Sequence, residues 1–164
     1  GHVTGVQTCA LPIWQLSQLE ASAGTATASA EVEALLEALT DFSHIPAWIS
    51  MSCRDGDSTC AGQPYRELAA LAAGYPQIAA IGVNCTKPEF VSSLLEKVSD
   101  WGPLVVYPNA GRVWVGGNKV WLGDGDMVLP ASAVDEWVDL GARLVGGCCG
   151  LGPAAIAAIS AQFA

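Results

Sequence analysis

The chain has 164 residues, 51% of them hydrophobic, which is enough for one domain with a core of its own and excludes a disordered polymer. A formal charge of −9 with only seven Lys and Arg leaves no basic stripe to neutralise phosphates, so neither nucleic acid nor an anionic membrane surface is an expected partner. Six cysteines at irregular spacing, with no secretory signal pattern, argue for reduced thiols in a cytoplasmic setting rather than a disulfide framework. The longest uncharged run, residues 144–164, is broken by glycines, a proline and two cysteines, and does not read as a membrane span.

Residues 3–13 show neither helical nor strand periodicity, and a common sequencing-library adapter encodes them codon by codon. Residues 1–28 are therefore expected to be a foreign or disordered leader, and His2 and Cys9 are set aside with it. From residue 29 the pattern becomes regular. Val32, Leu35, Leu36 and Leu39 recur at helical spacing, which predicts a helix over 29–42. The apolar run 46–52 predicts a buried strand, ended by a loop at Arg54-Asp-Gly-Asp57. A helix over 65–73 starts after Pro64 and is stopped by Gly74-Tyr-Pro76. Residues 78–83 form a continuous apolar strand that delivers Asn84 and Cys85 at its C-terminal end. The next helix, 88–98, has Pro88 at its first position and Glu89 in its first turn. A strand at 104–107 is closed by Pro108-Asn-Ala-Gly111, and the glycine-rich residues 112–129, with Trp114 and Trp121, are expected to be an excursion loop. A helix over 130–140, a strand over 142–145 and a helix over 153–163 complete the chain.

Alternating helices and near-continuous apolar strands predict an α/β fold with a parallel sheet over residues 29–164, either doubly wound or a (βα) barrel. In both architectures the chemistry lies at the C-terminal ends of the strands. The turn Gly-Gly-Cys-Cys-Gly at 146–150 sits at such an end, and its glycines allow two sulfurs to meet at one point. Small buried apolar cysteines beside a turn would produce the same string. Cys85 supplies the argument for chemistry, because parallel strands bring it to the same rim as Cys148 and Cys149. Three thiolates there meet the protein half of a zinc site with an open fourth position. Asn84 and Asn109, also at strand ends, either contact substrate or satisfy turns. Asp55 and Asp57 read as solvated loop acids and His44 as a connector residue. Cys53 and Cys60 match no familiar zinc spacing.

Three ordered motifs add a family. Gly-Val-Asn-Cys-Thr at 82–86, Val-Tyr-Pro-Asn-Ala-Gly at 106–111 and Gly-Gly-Cys-Cys-Gly at 146–150 resemble successive motifs of the homocysteine S-methyltransferases, as does the stretch 47–56. The first motif is most similar to the branch using S-methylmethionine or S-adenosylmethionine. The resemblance covers about residues 31–163 and implies a (βα)8 TIM barrel of which this chain holds roughly the last four strand–helix units. A partial barrel has open sheet edges, which implies self-association. The resemblance further implies Zn2+ on Cys85, Cys148 and Cys149, and methyl transfer from a sulfonium donor to the thiol of homocysteine, giving methionine. A Glu-Thr-x-Pro motif expected near residues 24–27 is replaced by Gly-Thr-Ala-Thr, without a carboxylate. A zinc-thiolate module that binds without turnover is the alternative. A thiol redox protein fits less well, since the chain has no Cys-x-x-Cys.

Overall fold

The computed structural model describes residues 28–42, 44–111, 113–115, 120–122 and 128–163. Residues 1–27 of the expected leader, and the Gly-Asp-Gly-Asp stretch at 123–126 of the expected excursion loop, lie outside them. In chain order the elements are α1 (Ala28–Thr40), β1 (Ala47–Met51), α2 (Tyr65–Ala73), β2 (Ile78–Asn84), α3 (Pro88–Glu96), β3 (Leu104–Tyr107), β4 (Val113–Val115), β5 (Val120–Leu122), α4 (Ala131–Asp139), β6 (Ala142–Val145) and α5 (Pro153–Gln162).

Each helix forms where apolar residues repeat every three or four positions and a proline or a polar side chain marks its start. In α2 the buried residues are Tyr65, Leu68, Ala69 and Ala72, one stripe of a 3.6-residue period. In α3 they are Val91, Leu94 and Leu95, behind Pro88 in the first turn, where its missing N–H leaves no bond unmade. Helix α1 buries Val32 and Leu36 and turns Glu33 and Glu37 outward. Its two ends are tied by glutamines from elsewhere in the chain. Gln63 exchanges hydrogen bonds with Ser29, accepting from its N–H at 3.1 Å and donating to its hydroxyl at 3.2 Å, and Gln77 donates to the Leu39 carbonyl at 2.6 Å.

The strands β1, β2, β3 and β6 pair in that order, all parallel. Sequential order, without the reversal of a doubly wound sheet, is the arrangement of consecutive units in a (βα) barrel. Helix placement agrees. On one face of the sheet Ile49, Met51, Ile81, Val83, Leu104 and Val106 share a single core with residues of all the helices α1 to α5, including the fully buried Trp137. The opposite face carries a smaller cluster, Ala80, Val105 and Tyr107 with half-buried Trp48, Leu144 and Cys148, to which no helix among the described residues contributes. This second face corresponds to the inside of a barrel.

Residues 112–129 differ from expectation. Within them β4 and β5 form an antiparallel pair with Trp114 opposite Trp121. The glycines around these strands suggest a loop, but Val-Trp-Val and Val-Trp-Leu are rich in β-branched and aromatic residues, which favour extended backbone. The loop after β1 is also more ordered than its composition suggests, with antiparallel bridges between Cys53 and Thr59 and between Ser58 and Pro64.

Candidate metal centre

Because the strands are parallel, their C-terminal ends share one rim, and Cys85, Cys148 and Cys149 meet there. The Cys85 and Cys149 Sγ atoms lie 3.6 Å apart, those of Cys148 and Cys149 3.9 Å apart, and all three fall within 4.8 Å of one another. A tetrahedral ion with metal–sulfur bonds of about 2.3 Å requires sulfurs about 3.8 Å apart. Both sulfur pairs that include Cys149 therefore have the spacing that one such ion demands, and the third pair lies within 4.8 Å. Cys85 and Cys148 are half-buried while Cys149 is exposed, so the cluster is open on one side.

Crowding controls the protonation of this set. The neighbouring Cys148, then burial, then Cys149 push the Cys85 thiol well above its ordinary value, and burial followed by Cys148 raises Cys149. Several thiolates this close repel one another, so the set does not hold three negative charges at neutral pH unless a cation compensates them.

The chain places the cysteines through its backbone. Cys85 has φ 45°, the one positive value at a non-glycine among the described residues, a left-handed conformation that costs an L-residue about 1–2 kcal/mol. Hydrogen bonds to the last residue of β3 and from the segment after it hold it there. The Cys85 N–H donates to the Tyr107 carbonyl at 3.0 Å, the Asn109 amide Nδ2 donates to the Cys85 carbonyl at 2.8 Å, and the Asn109 N–H donates to the Thr86 carbonyl at 3.0 Å. The same segment grips the vicinal pair from its other side, with Cys148 N–H donating to Pro108 at 2.8 Å and Ala110 N–H donating to Cys149 at 2.9 Å. Residues 107–111 thus form a bracket between the two cysteine-bearing turns. The glycines matter individually: a Cβ at Gly147 would lie 2.7 Å from that of Leu151, and Gly150 has φ 81°.

Beside the thiols the inner face of the sheet is polar. The Ser50 and Tyr107 hydroxyls are hydrogen-bonded to each other, and Asn84 Nδ2 donates to Ser52 Oγ at 3.0 Å. Asn84 is fully buried, and its Oδ1 has no hydrogen-bond partner among the described residues. Asn109 uses both ends of its amide, since Oδ1 also accepts from the Gly111 N–H at 2.8 Å. The other residues considered from sequence stand apart from the cluster. Cys53 is buried, Cys60 and His44 are exposed, Asp55 accepts from the N–H groups of Asp57 and Ser58, and Asp57 pairs with Lys97 at 3.0 Å. Sequence reasoning passed over Thr86, Ser50 and Tyr107, whose parts depend on hydrogen bonds between strands.

A parallel sheet of βα units with convergent thiols at its C-terminal rim defines an α/β protein of the barrel type with a candidate thiolate metal centre. Comparison with known proteins narrows this class, because the family model for homocysteine S-methyltransferase matches residues 22–163. The chain belongs to the homocysteine S-methyltransferase family. It is 41% identical over 135 residues to homocysteine S-methyltransferase of Escherichia coli (strain K12), covering 80% of this chain and 44% of that protein. It is 42% identical over 125 residues to homocysteine S-methyltransferase 4 of Zea mays, covering 71% of this chain and 35% of the relative. Among solved structures, the metallated form of the homocysteine methyltransferase MmuM from Escherichia coli superposes with a TM-score of 0.64 at 39% identity, over 80% of this chain and 41% of that one. The chain thus spans less than half the length of these relatives.

Proposed function

We propose that residues 29–164 form the metal-binding half of a barrel that transfers a methyl group from a sulfonium donor, S-methylmethionine or S-adenosylmethionine, to the thiol of homocysteine. Carbon–sulfur bond formation at homocysteine gives methionine, the donor leaves as a neutral thioether, and the thiol proton passes to solvent. Cys85, Cys148 and Cys149 hold Zn2+. Bound there, the ion would supply Lewis acidity that favours the ionised form of the homocysteine thiol. The protein residues set up the rest. The bracket at 107–111 fixes the three sulfurs, and the exposed side at Cys149 leaves room for substrate. Asn84 offers its unpartnered Oδ1 to a substrate donor, and Asn109 acts at the substrate side through the Cys85 backbone. The reaction is placed in the cytoplasm, where free thiols persist.

The observation that carries this reading is the convergence of the three sulfurs within 4.8 Å of one another, with both pairs that include Cys149 at the spacing a tetrahedral ion needs. Metal analysis of the purified chain tests it. One equivalent of zinc is expected, lost in each of Cys85→Ser, Cys148→Ser and Cys149→Ser. Assay of methionine formation then separates an enzyme from a zinc-thiolate module: metal without turnover, both in this chain and when it is completed by the remaining length of a relative, selects the module. A chain that takes up no metal and cycles between thiol and disulfide overturns both.

A further inference from the structure

We propose that Thr86 is a positioning residue for the thiol cluster, its hydroxyl holding Cys85 in the left-handed conformation that aims the Cys85 sulfur at Cys148 and Cys149. The assignment rests on the metal reading above. Thr86 is fully buried, and its hydroxyl is used in both directions: it donates to the Asn84 carbonyl at 2.9 Å and accepts from the Cys53 N–H at 2.9 Å. The first bond spans Cys85 itself. A donor at residue 86 bonded to the carbonyl of residue 84 closes a short loop around residue 85, and that closure favours the reversal of chain direction seen at φ 45°.

The second bond links this turn to another strand end. Cys53 follows β1, Asn84 ends β2, and Asn109, whose N–H donates to the Thr86 carbonyl, follows β3. Three neighbouring strand ends therefore converge on one threonine, while Cys148 and Cys149 are held from the fourth strand by the bracket at 107–111. Without the Thr86 hydroxyl, Cys85 keeps its own bonds to Tyr107 and Asn109 but loses the loop closure around it, which together with them opposes relaxation to ordinary backbone angles. Relaxation would rotate its Cα–Cβ bond away from the vicinal pair. Valine has nearly the shape of threonine but no hydroxyl, and serine keeps the hydroxyl but not the methyl. The two substitutions separate hydrogen bonding from packing.

The test is titration of the wild-type, Thr86→Val and Thr86→Ser chains with Co2+, followed by competition with Zn2+ and a chelator, alongside thermal melts of each metal-free chain. In T86V the expected result is a tenfold to hundredfold loss of Zn2+ affinity, the usual range for residues that orient metal ligands. It is accompanied by weakened sulfur-to-cobalt charge-transfer absorption and an altered d–d envelope, whereas T86S stays within about threefold of wild type with the wild-type spectrum. A purely structural role would lower the melting temperature of T86V and leave the spectrum of its folded form unchanged, and that outcome overturns the proposal. So does a T86S chain as impaired as T86V. If the wild-type chain takes up no cobalt, the metal reading falls and this assignment falls with it.

Discussion

Gly82 shows how little room single residues have near the site. It pairs with Val105 across β2 and β3, and a Cβ there would lie 1.7 Å from the Val105 carbonyl oxygen, so the two strands would have to separate. Gly82→Ala should cost about 3 kcal/mol by urea unfolding, at the upper end for overpacked cores. Gly152, which has open space around it and an ordinary negative φ of −89°, serves as the control. Cys53 gives a pH dependence. Its thiol is pushed up from 9.0 to about 12, first by burial and then by Cys60 and Asp55. Above pH 9.0 the unfolded chain ionises this group while the folded chain keeps it protonated, so stability present below that value is lost as pH rises towards about 12. Urea midpoints of wild type and Cys53→Ala, compared below and above pH 9.0, should fall more steeply with pH in the wild type. Parallel slopes would show that Cys53 makes no such contribution.

At the level of elements, α1 tests whether side chains from elsewhere fix a helix. Few contacts tie it to the sheet directly, and it packs mainly against α2, so the bonds of Gln63 at its start and Gln77 at its end carry more weight than usual caps. Gln63→Ala should cost about 1 kcal/mol, the range for a lost N-terminal cap, and lower hydrogen-exchange protection in α1 more than in α3. Neither glutamine stands out in the sequence, since both lie in connectors and act on residues more than thirty positions away. The helices and parallel strands themselves were legible, because period and proline placement are local signals. The hairpin of β4 and β5 was not. Its strands are three residues each, too short for a period to register, and glycines on either side carry the opposite signal.

For the whole molecule, parallel topology made the thiol cluster legible. Once Cys85 and the vicinal pair were placed at the ends of parallel strands, a common rim followed, although the left-handed turn at Cys85 and the Thr86 hydroxyl bonds did not, since both depend on backbone angles that composition does not reveal. The same topology yields a prediction about association. Among the described residues β1 and β6 each pair along one side only, and the inner face bears Trp48, Val105 and Leu144 without a covering helix. Parallel sheets are stable when both faces are covered, and unpaired edges recruit further strands. The 16.9 kDa chain on its own should therefore elute as a larger species by light scattering coupled to sizing chromatography. Leu144→Lys places a charge on the inner face beside the β6 edge. It should shift the population towards monomer without unfolding α3 and α4, whose core lies on the other face. Exposed Arg143 is already a charge on that strand, so the inner face rather than the edge backbone alone would be identified as the driving surface. A wild-type chain that is monodisperse at monomer mass would show that neither the inner face nor the sheet edges drive association.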